Sequence, residues 1–170
     1  MSDQNQKRKI QLNESFIPAN QTARRYRILK GGAGSGKSVD VAMNYILRLA
    51  DPFYKGANLL VLRKISESNR DSTFAELTGA IHRIYGPGWQ GAWRIYESTM
   101  RIRCLITGAE IIFRGMNDVK QREKVKSINF TFGKLVWIWM EEANEFEPED
   151  FEILDDRLRG DLPNHNLFYQ

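Results

Sequence analysis

Apolar residues recur along this chain in several distinct rhythms. Over 37–50, Val41, Ala42, Tyr45, Ile46 and Leu49 return at helical spacing and Asp51-Pro52 supplies a stop. The runs 58–63 (NLLVLR) and 134–140 (KLVWIWM) are almost continuously apolar, the texture of strands buried on both faces of a parallel sheet. Residues 26–30 (YRILK) alternate and run into a glycine-rich stretch, which predicts a strand ending at a tight turn. Between Trp93 and Arg114, the runs WRIYES, MRIRCLIT and AEIIFRG are separated by turn residues such as Thr107-Gly108, predicting an antiparallel excursion. A helix is expected over about 71–85, ended by GPG, and another from Pro148 to about Leu158, with proline and acids in its first turn. Residues 117–130 read as a polar stretch, and 167–170 as the start of a further strand. Strands alternating with helices in this order predict an α/β fold: a mainly parallel sheet flanked by helices, with right-handed crossovers.

Composition bounds this picture. A chain of 170 residues with 42% hydrophobic, 27% charged and 11% aromatic positions is long enough for one buried core and excludes wholesale disorder. Residues 1–15, with Lys7, Arg8 and Lys9, read as a flexible basic arm ahead of a domain over 16–170. No apolar run approaches the ~20 residues of a membrane span, and the N-terminus lacks the apolar stretch of a secretory signal, so a cytoplasmic location is expected. The single cysteine, Cys104, forms no internal disulfide and has no zinc-ligand neighbours, so it reads as a small strand side chain. Charge is distributed unevenly: residues 1–134 hold 23 basic against 11 acidic side chains, and 135–170 hold 2 against 10. A net +12 followed by −8 suggests a polyanionic partner on the first part and an acidic site or solvated face on the second.

The motif that sharpens this is Gly31-Gly32-Ala33-Gly34-Ser35-Gly36-Lys37-Ser38, which fits the P-loop pattern G-x-x-x-x-G-K-[ST]. In such a loop backbone N–H groups wrap phosphates, Lys37 reaches the β and γ phosphates of ATP, and the Ser38 hydroxyl binds Mg2+. The second motif is the acid pair that ends KLVWIWM. A buried strand delivering carboxylates at its C-terminal end places them where an open α/β sheet binds ligand. Glu141 is assigned to Mg2+, and Glu142 to orienting and deprotonating an attacking water. An exposed pair of acids at a helix start is the alternative reading.

Taken together, GGAGSGKS, LRKISESNRDSTFAEL, IIFRGMNDVKQREKVKSI, WIWMEEANEFEPEDF and RLRG resemble the ATPase domain of the large subunit of tailed-phage terminases. The likeness spans about residues 16–170, and the order of the five segments carries it. It implies an additional-strand (ASCE) P-loop NTPase that hydrolyses ATP with Mg2+ and drives double-stranded DNA into a procapsid. It also implies a homo-oligomeric ring on the capsid portal protein, a small terminase subunit as partner, a location in the host cytoplasm, and a separate nuclease domain. The sequence ends before the coupling motif and nuclease domain of that family, so it is expected to be a truncated motor domain without nuclease chemistry.

Two positions depart from the family pattern: Glu141 stands where many relatives have Asp, and Ala33 where many carry a nucleotide-contacting arginine. Arg63, Arg122 and Lys126 are the candidates to supply the missing transition-state cation, with a plain surface cation the alternative for each. Tyr26 or Phe16 packs on adenine or in the core. Arg101, Arg103 and Arg114 form a phosphate-facing row or a wet sheet face. The tryptophans read as core, and Arg157 as a partner of acids one turn earlier. Two other functional classes remain beside the motor: a P-loop kinase, and a nucleotide-dependent switch or assembly module with little activity of its own.

Overall fold

The computed structural model describes residues 10, 13–22 and 24–158, together with the backbone of 168–169. Most of the expected basic arm lies outside the described residues, as does Arg159. Within them the chain opens with a 3-10 turn, Glu14–Phe16, and a short helix α1, Ile17–Gln21. The predicted helix after the P-loop forms as α2, Lys37–Ala50, and stops where Asp51 turns extended and caps the next turn. Its partner α3 runs Ala75–Tyr85. The first part of the helix expected from residue 71 is wound wider, as a π turn over Arg70–Phe74. There Ser72 Oγ donates to the Ser68 carbonyl and Thr73 Oγ1 to Asn69 Oδ1, local polar contacts that compete with the α ladder.

The strands are β1 (Ala57–Arg63), β2 (Trp93–Tyr96), β3 (Arg101–Cys104), β4 (Glu110–Gly115), β5 (Lys134–Met140) and β6 (Phe168–Tyr169). They form one sheet in the order β2-β3-β4-β1-β5-β6. β2, β3 and β4 pair antiparallel, as the alternating runs predicted. β4 then pairs parallel with β1, so the last strand of the excursion rejoins the parallel sheet. β1 is also parallel to β5, and β5 to β6. A polar clamp fixes the register at the start of β1. Buried Asn58 donates to the carbonyls of Phe132 and Lys134 and accepts from Glu110 N–H. Gly133 beside it is left-handed, and a Cβ there would lie 2.0 Å from the Gly56 oxygen, so only glycine fits.

The strand expected over 26–30 does not form: Tyr26 makes an isolated bridge and 27–30 continue without regular pairing. β5 already has β1 on one side and β6 on the other, leaving no place for it beside β5. The segment still alternates, with Arg27 buried, Ile28 exposed and Leu29 packed on the core.

Two apolar layers sandwich the sheet. α2 and α3 cover one face through Ile46, Leu49, Leu77 and Ile81 against Leu59, Val61 and Trp139. On the other face α4 (Val119–Lys126) and α5 (Pro148–Arg157) place Val125 and Leu154 on Leu60, Leu62 and Ile138. α4 corrects the reading of 117–130 as an irregular polar stretch: Asp118 caps it by accepting from Gln121 N–H. This arrangement brings the carboxyl ends of β1 and β5 to the same edge as the glycine-rich loop.

Candidate functional site

The loop 31–36 wraps the start of α2. Gly34 and Gly36 take left-handed φ of 74° and 83°, and Gly36 is the N-cap, so no side chain caps the first N–H groups of α2. Those donors and the positive end of the helix dipole make the loop an anion cradle. Lys37 stands over it. Its Nζ donates to the carbonyls of Gly31 (2.7 Å) and Gly32 (3.0 Å) and to Ser35 Oγ (3.0 Å), which uses all three ammonium donors.

The acid strand arrives beside it. Glu141 N–H donates to the Leu62 carbonyl, so its backbone is tied to β1. Ser38 Oγ donates to Glu141 Oε1 at 2.6 Å, joining residues 103 apart in sequence. A hydroxyl and a carboxylate are hard oxygen donors, and Mg2+ is commonly held by one or two such groups with water and phosphate completing its shell. The donor set at Ser38 and Glu141 therefore fits that cation. Glu142 follows with a left-handed backbone, φ 55° and ψ 55°, and an exposed side chain. That conformation costs a non-glycine residue about 1–2 kcal/mol and turns the chain away from β5 into the 3-10 turn Ala143–Glu145.

A cleft of about 910 Å³ lies between these two elements, lined by the glycine-rich loop, Lys37, Ser38, Glu141 and Glu142. Ala33 and Tyr26 also face it, so every residue assigned from the sequence to phosphates, cation or water lines this cleft except Gly32. Tyr26 is half-exposed there and its hydroxyl donates to Asp155 Oδ1 at 2.7 Å, a bond that raises the phenol's pKa. The same carboxylate oxygen accepts from Arg25.

The three candidate cations are placed elsewhere. Arg63 ends β1 opposite Gly115, its Nε buried without a hydrogen-bond partner, and does not line the cleft. Arg122 sits on α4 with Nε 2.7 Å from Asp150 Oδ1 and Nη1 3.4 Å from Glu149. Lys126 pairs with Glu123. Arg157 donates to the Ile128 carbonyl, not to the acids a turn earlier. The cations that line the cleft, among the described residues, are Arg27, Lys30 and Lys37.

A second, smaller hollow of about 410 Å³ lies on the face of β3 and β4 that α4 and α5 leave open. Arg101, Arg103 and Arg114 line it with Tyr96. Burial, and then the charge of Arg101, lower the pKa of Arg114, whose Nη1 finds the Phe113 carbonyl. Glu110 is the acid there, and Thr131 and Arg101 share it.

Sequence reasoning missed three residues. Trp139, read only as core, donates its indole N–H to Glu141 Oε2 at 3.0 Å. Asp150 is fully buried and accepts from Lys64 at 2.6 Å, from Arg122 and from Glu147 N–H, binding the end of β1, α4 and the start of α5 together. Asp155 anchors the segment ahead of the P-loop. Of these only Asp150 had a local cue, the Glu-x-x-Asp spacing of a capping box.

The chain is 31% identical over 166 residues to the terminase large subunit of Bacillus phage SPP1, covering 92% of this chain and 37% of that protein. It is 32% identical over 134 residues to the PBSX phage terminase large subunit of Bacillus subtilis, covering 79% and 28%. The chain thus spans about a third of the length of these relatives. Among solved structures, the large terminase of a thermophilic bacteriophage superposes with a TM-score of 0.64 at 13% identity, covering 89% of this chain and 34% of that one. The HK97 bacteriophage large terminase gives 0.63 at 16%, covering 94% and 33%. A second structure of the thermophilic phage's large terminase, in complex with ADP, gives 0.57 at 13%, covering 77% and 30%. The fold is therefore that of these large terminases, a mainly parallel sheet flanked by helices with an antiparallel excursion. Since the phage terminase large subunit family also matches residues 23–170, nearly the whole chain, this protein belongs to that family.

Proposed function

We propose that this chain is the ATP-hydrolysing motor portion of a terminase large subunit, turning hydrolysis into translocation of double-stranded viral DNA into a procapsid. The observation that carries the reading is the 2.6 Å contact between Ser38 and Glu141 across a cleft whose floor is the glycine-rich loop. The Lys37 ammonium, now on loop carbonyls, exchanges them for the β and γ phosphates of ATP. Ser38 and Glu141 hold Mg2+, which when bound neutralises charge on the phosphate oxygens. Glu142, exposed in the cleft and free of the strand ladder, orients the attacking water and takes its proton.

The reading extends to partners. The open arginine face of β3 and β4 suits a phosphate backbone, and the ADP complex of a related terminase supports a nucleotide in the cleft. A ring on the capsid portal, a small terminase subunit and a site of action in the host cytoplasm complete the proposal. Phosphate release by the wild type, by Lys37→Ala and by Glu142→Gln, with and without duplex DNA, tests it. Glu142→Gln should lose about 10²–10⁴-fold in rate while retaining ADP binding. Equal release by all three proteins sinks the site assignment, and ADP binding without release by the wild type favours a switch over a motor.

A further inference from the structure

Glu141 is held by both oxygens. Oε1 accepts from Ser38, and Oε2 accepts from the indole N–H of Trp139 at 3.0 Å. The indole is itself packed into the core: Trp139 is 2% exposed and lies stacked on Tyr45 of α2, ring centroids 6.4 Å apart at 28°. Packing alone does not require this bond. Trp137, two residues earlier on the same core face and 1% exposed, buries its indole N–H with no hydrogen-bond partner. Trp139 is therefore the tryptophan of this strand whose polar atom is aimed at the acid.

The length of the acid explains why a tether matters. Glutamate has one more rotatable bond than aspartate, so a carboxylate at the end of β5 would sample several orientations, and each lost rotamer must be compensated for a cation to find its ligand in place. A neutral indole donor limits that freedom without adding charge, and it occupies one oxygen while the other faces Ser38. Partners of metal ligands commonly act in this way, fixing which lone pairs are presented.

We propose that Trp139 is a positioning residue for the cation, holding Glu141 Oε2 so that Oε1 is the oxygen presented beside Ser38. This rests on the reading of Ser38 and Glu141 as the Mg2+ site. Trp139→Phe keeps an aromatic ring against Tyr45 and removes the N–H. ADP binding, measured by calorimetry over a series of Mg2+ concentrations, should show the Mg2+ midpoint raised about tenfold in Trp139→Phe, with ADP affinity in EDTA unchanged. In a Glu141→Asp background, where the shorter acid withdraws from the indole, Trp139→Phe should have no further effect on that midpoint. A midpoint within about twofold of wild type in Trp139→Phe overturns the proposal, because an outer partner that matters shifts it by about ten or more. So does an equal loss of ADP affinity with and without Mg2+, which marks a purely structural role.

Should Trp139→Phe not fold, Glu141→Asp carries the test with the indole in place. Mg2+·ADP should change tryptophan emission in the wild type and change it by less than about half as much in Glu141→Asp, where the tether is gone; an undiminished response overturns the tether. A wild type that binds no ADP removes the nucleotide site itself. A wild type that binds Mg2+·ADP while the variants do not differ from it removes only the role of Trp139.

Discussion

Asp150→Ala should be the most destabilising carboxylate deletion in this domain. The side chain is fully buried, and its oxygens accept from Lys64 Nζ at 2.6 Å, Arg122 Nε at 2.7 Å and Glu147 N–H at 2.9 Å. Deleting it leaves two cations facing each other, with side chains 15% and 17% exposed. Removing one partner of a buried pair costs about 3–5 kcal/mol. Lys64 and Arg122 keep some contact with water and can turn toward it, so the lower figure of about 3 kcal/mol applies. For a domain of this size each kcal/mol moves the melting midpoint by about 2–4 °C, so Tm should fall by about 6–12 °C. The pH dependence follows from the same contacts. Burial alone would raise the Asp150 pKa, but hydrogen bonds from Lys64, Arg122 and the Glu147 N–H outweigh it and the net shift is downward. A depressed pKa in the folded state contributes stability above the unfolded value of about 3.9, and loses it as pH falls through the lower folded value. The gap between wild type and Asp150→Asn should thus be constant from neutral pH to about 5 and close below about 4. Thermal unfolding from acid to neutral pH measures both effects. A Tm for Asp150→Ala within about 1 °C of wild type, or a gap that does not narrow in acid, refutes the reasoning.

Two further perturbations probe the proposed partner and the strained turn. Arg101→Ala, Arg103→Ala or Arg114→Ala should each lower the slope of log affinity for duplex DNA against log salt by about 0.9, as one phosphate contact is lost. Fluorescence anisotropy across salt concentrations reads this, and slopes identical to wild type exclude the open face of β3 and β4 as the contact. Glu142→Gly should abolish phosphate release without lowering stability. Relief of about 1–2 kcal/mol of left-handed strain offsets the about 0.4–1 kcal/mol that glycine adds in unfolded-chain freedom. Urea unfolding that shows a loss of more than about 1 kcal/mol would mean that the Glu142 side chain supports the fold.

What could be read from the sequence divides along a physical line. α2, β1 and β5 were legible to within a residue because each declares itself by its own burial pattern, and the meeting of Lys37, Ser38, Glu141 and Glu142 at one cleft because the glycine-rich loop and the end of β5 come to the same sheet edge. α4 was missed because one buried residue, Val125, in a run of charges leaves no apolar stripe; only its cap at Asp118 betrays it. The strand expected over 26–30 failed for the opposite reason. Its alternation is real, but pairing depends on which neighbour occupies the flank of β5, and that neighbour comes from more than a hundred residues later. The same non-local logic governs the site's polar contacts. Arg122 looks like any basic surface residue until α5 brings Asp150 against it, and that pairing commits its guanidinium to holding α4 on the turn behind Glu142. Trp139 looks like core until the chain's own acid, two residues on, reaches back to its N–H. In both cases residue type predicted burial or charge correctly, and tertiary contact decided what the polar atom was for. The acidic half of the chain is thus two structures. Glu141 and Glu142 face the cleft, while Asp150 and Asp155 face inward or across to cations from the basic half, so part of the charge asymmetry serves to bind the domain to itself.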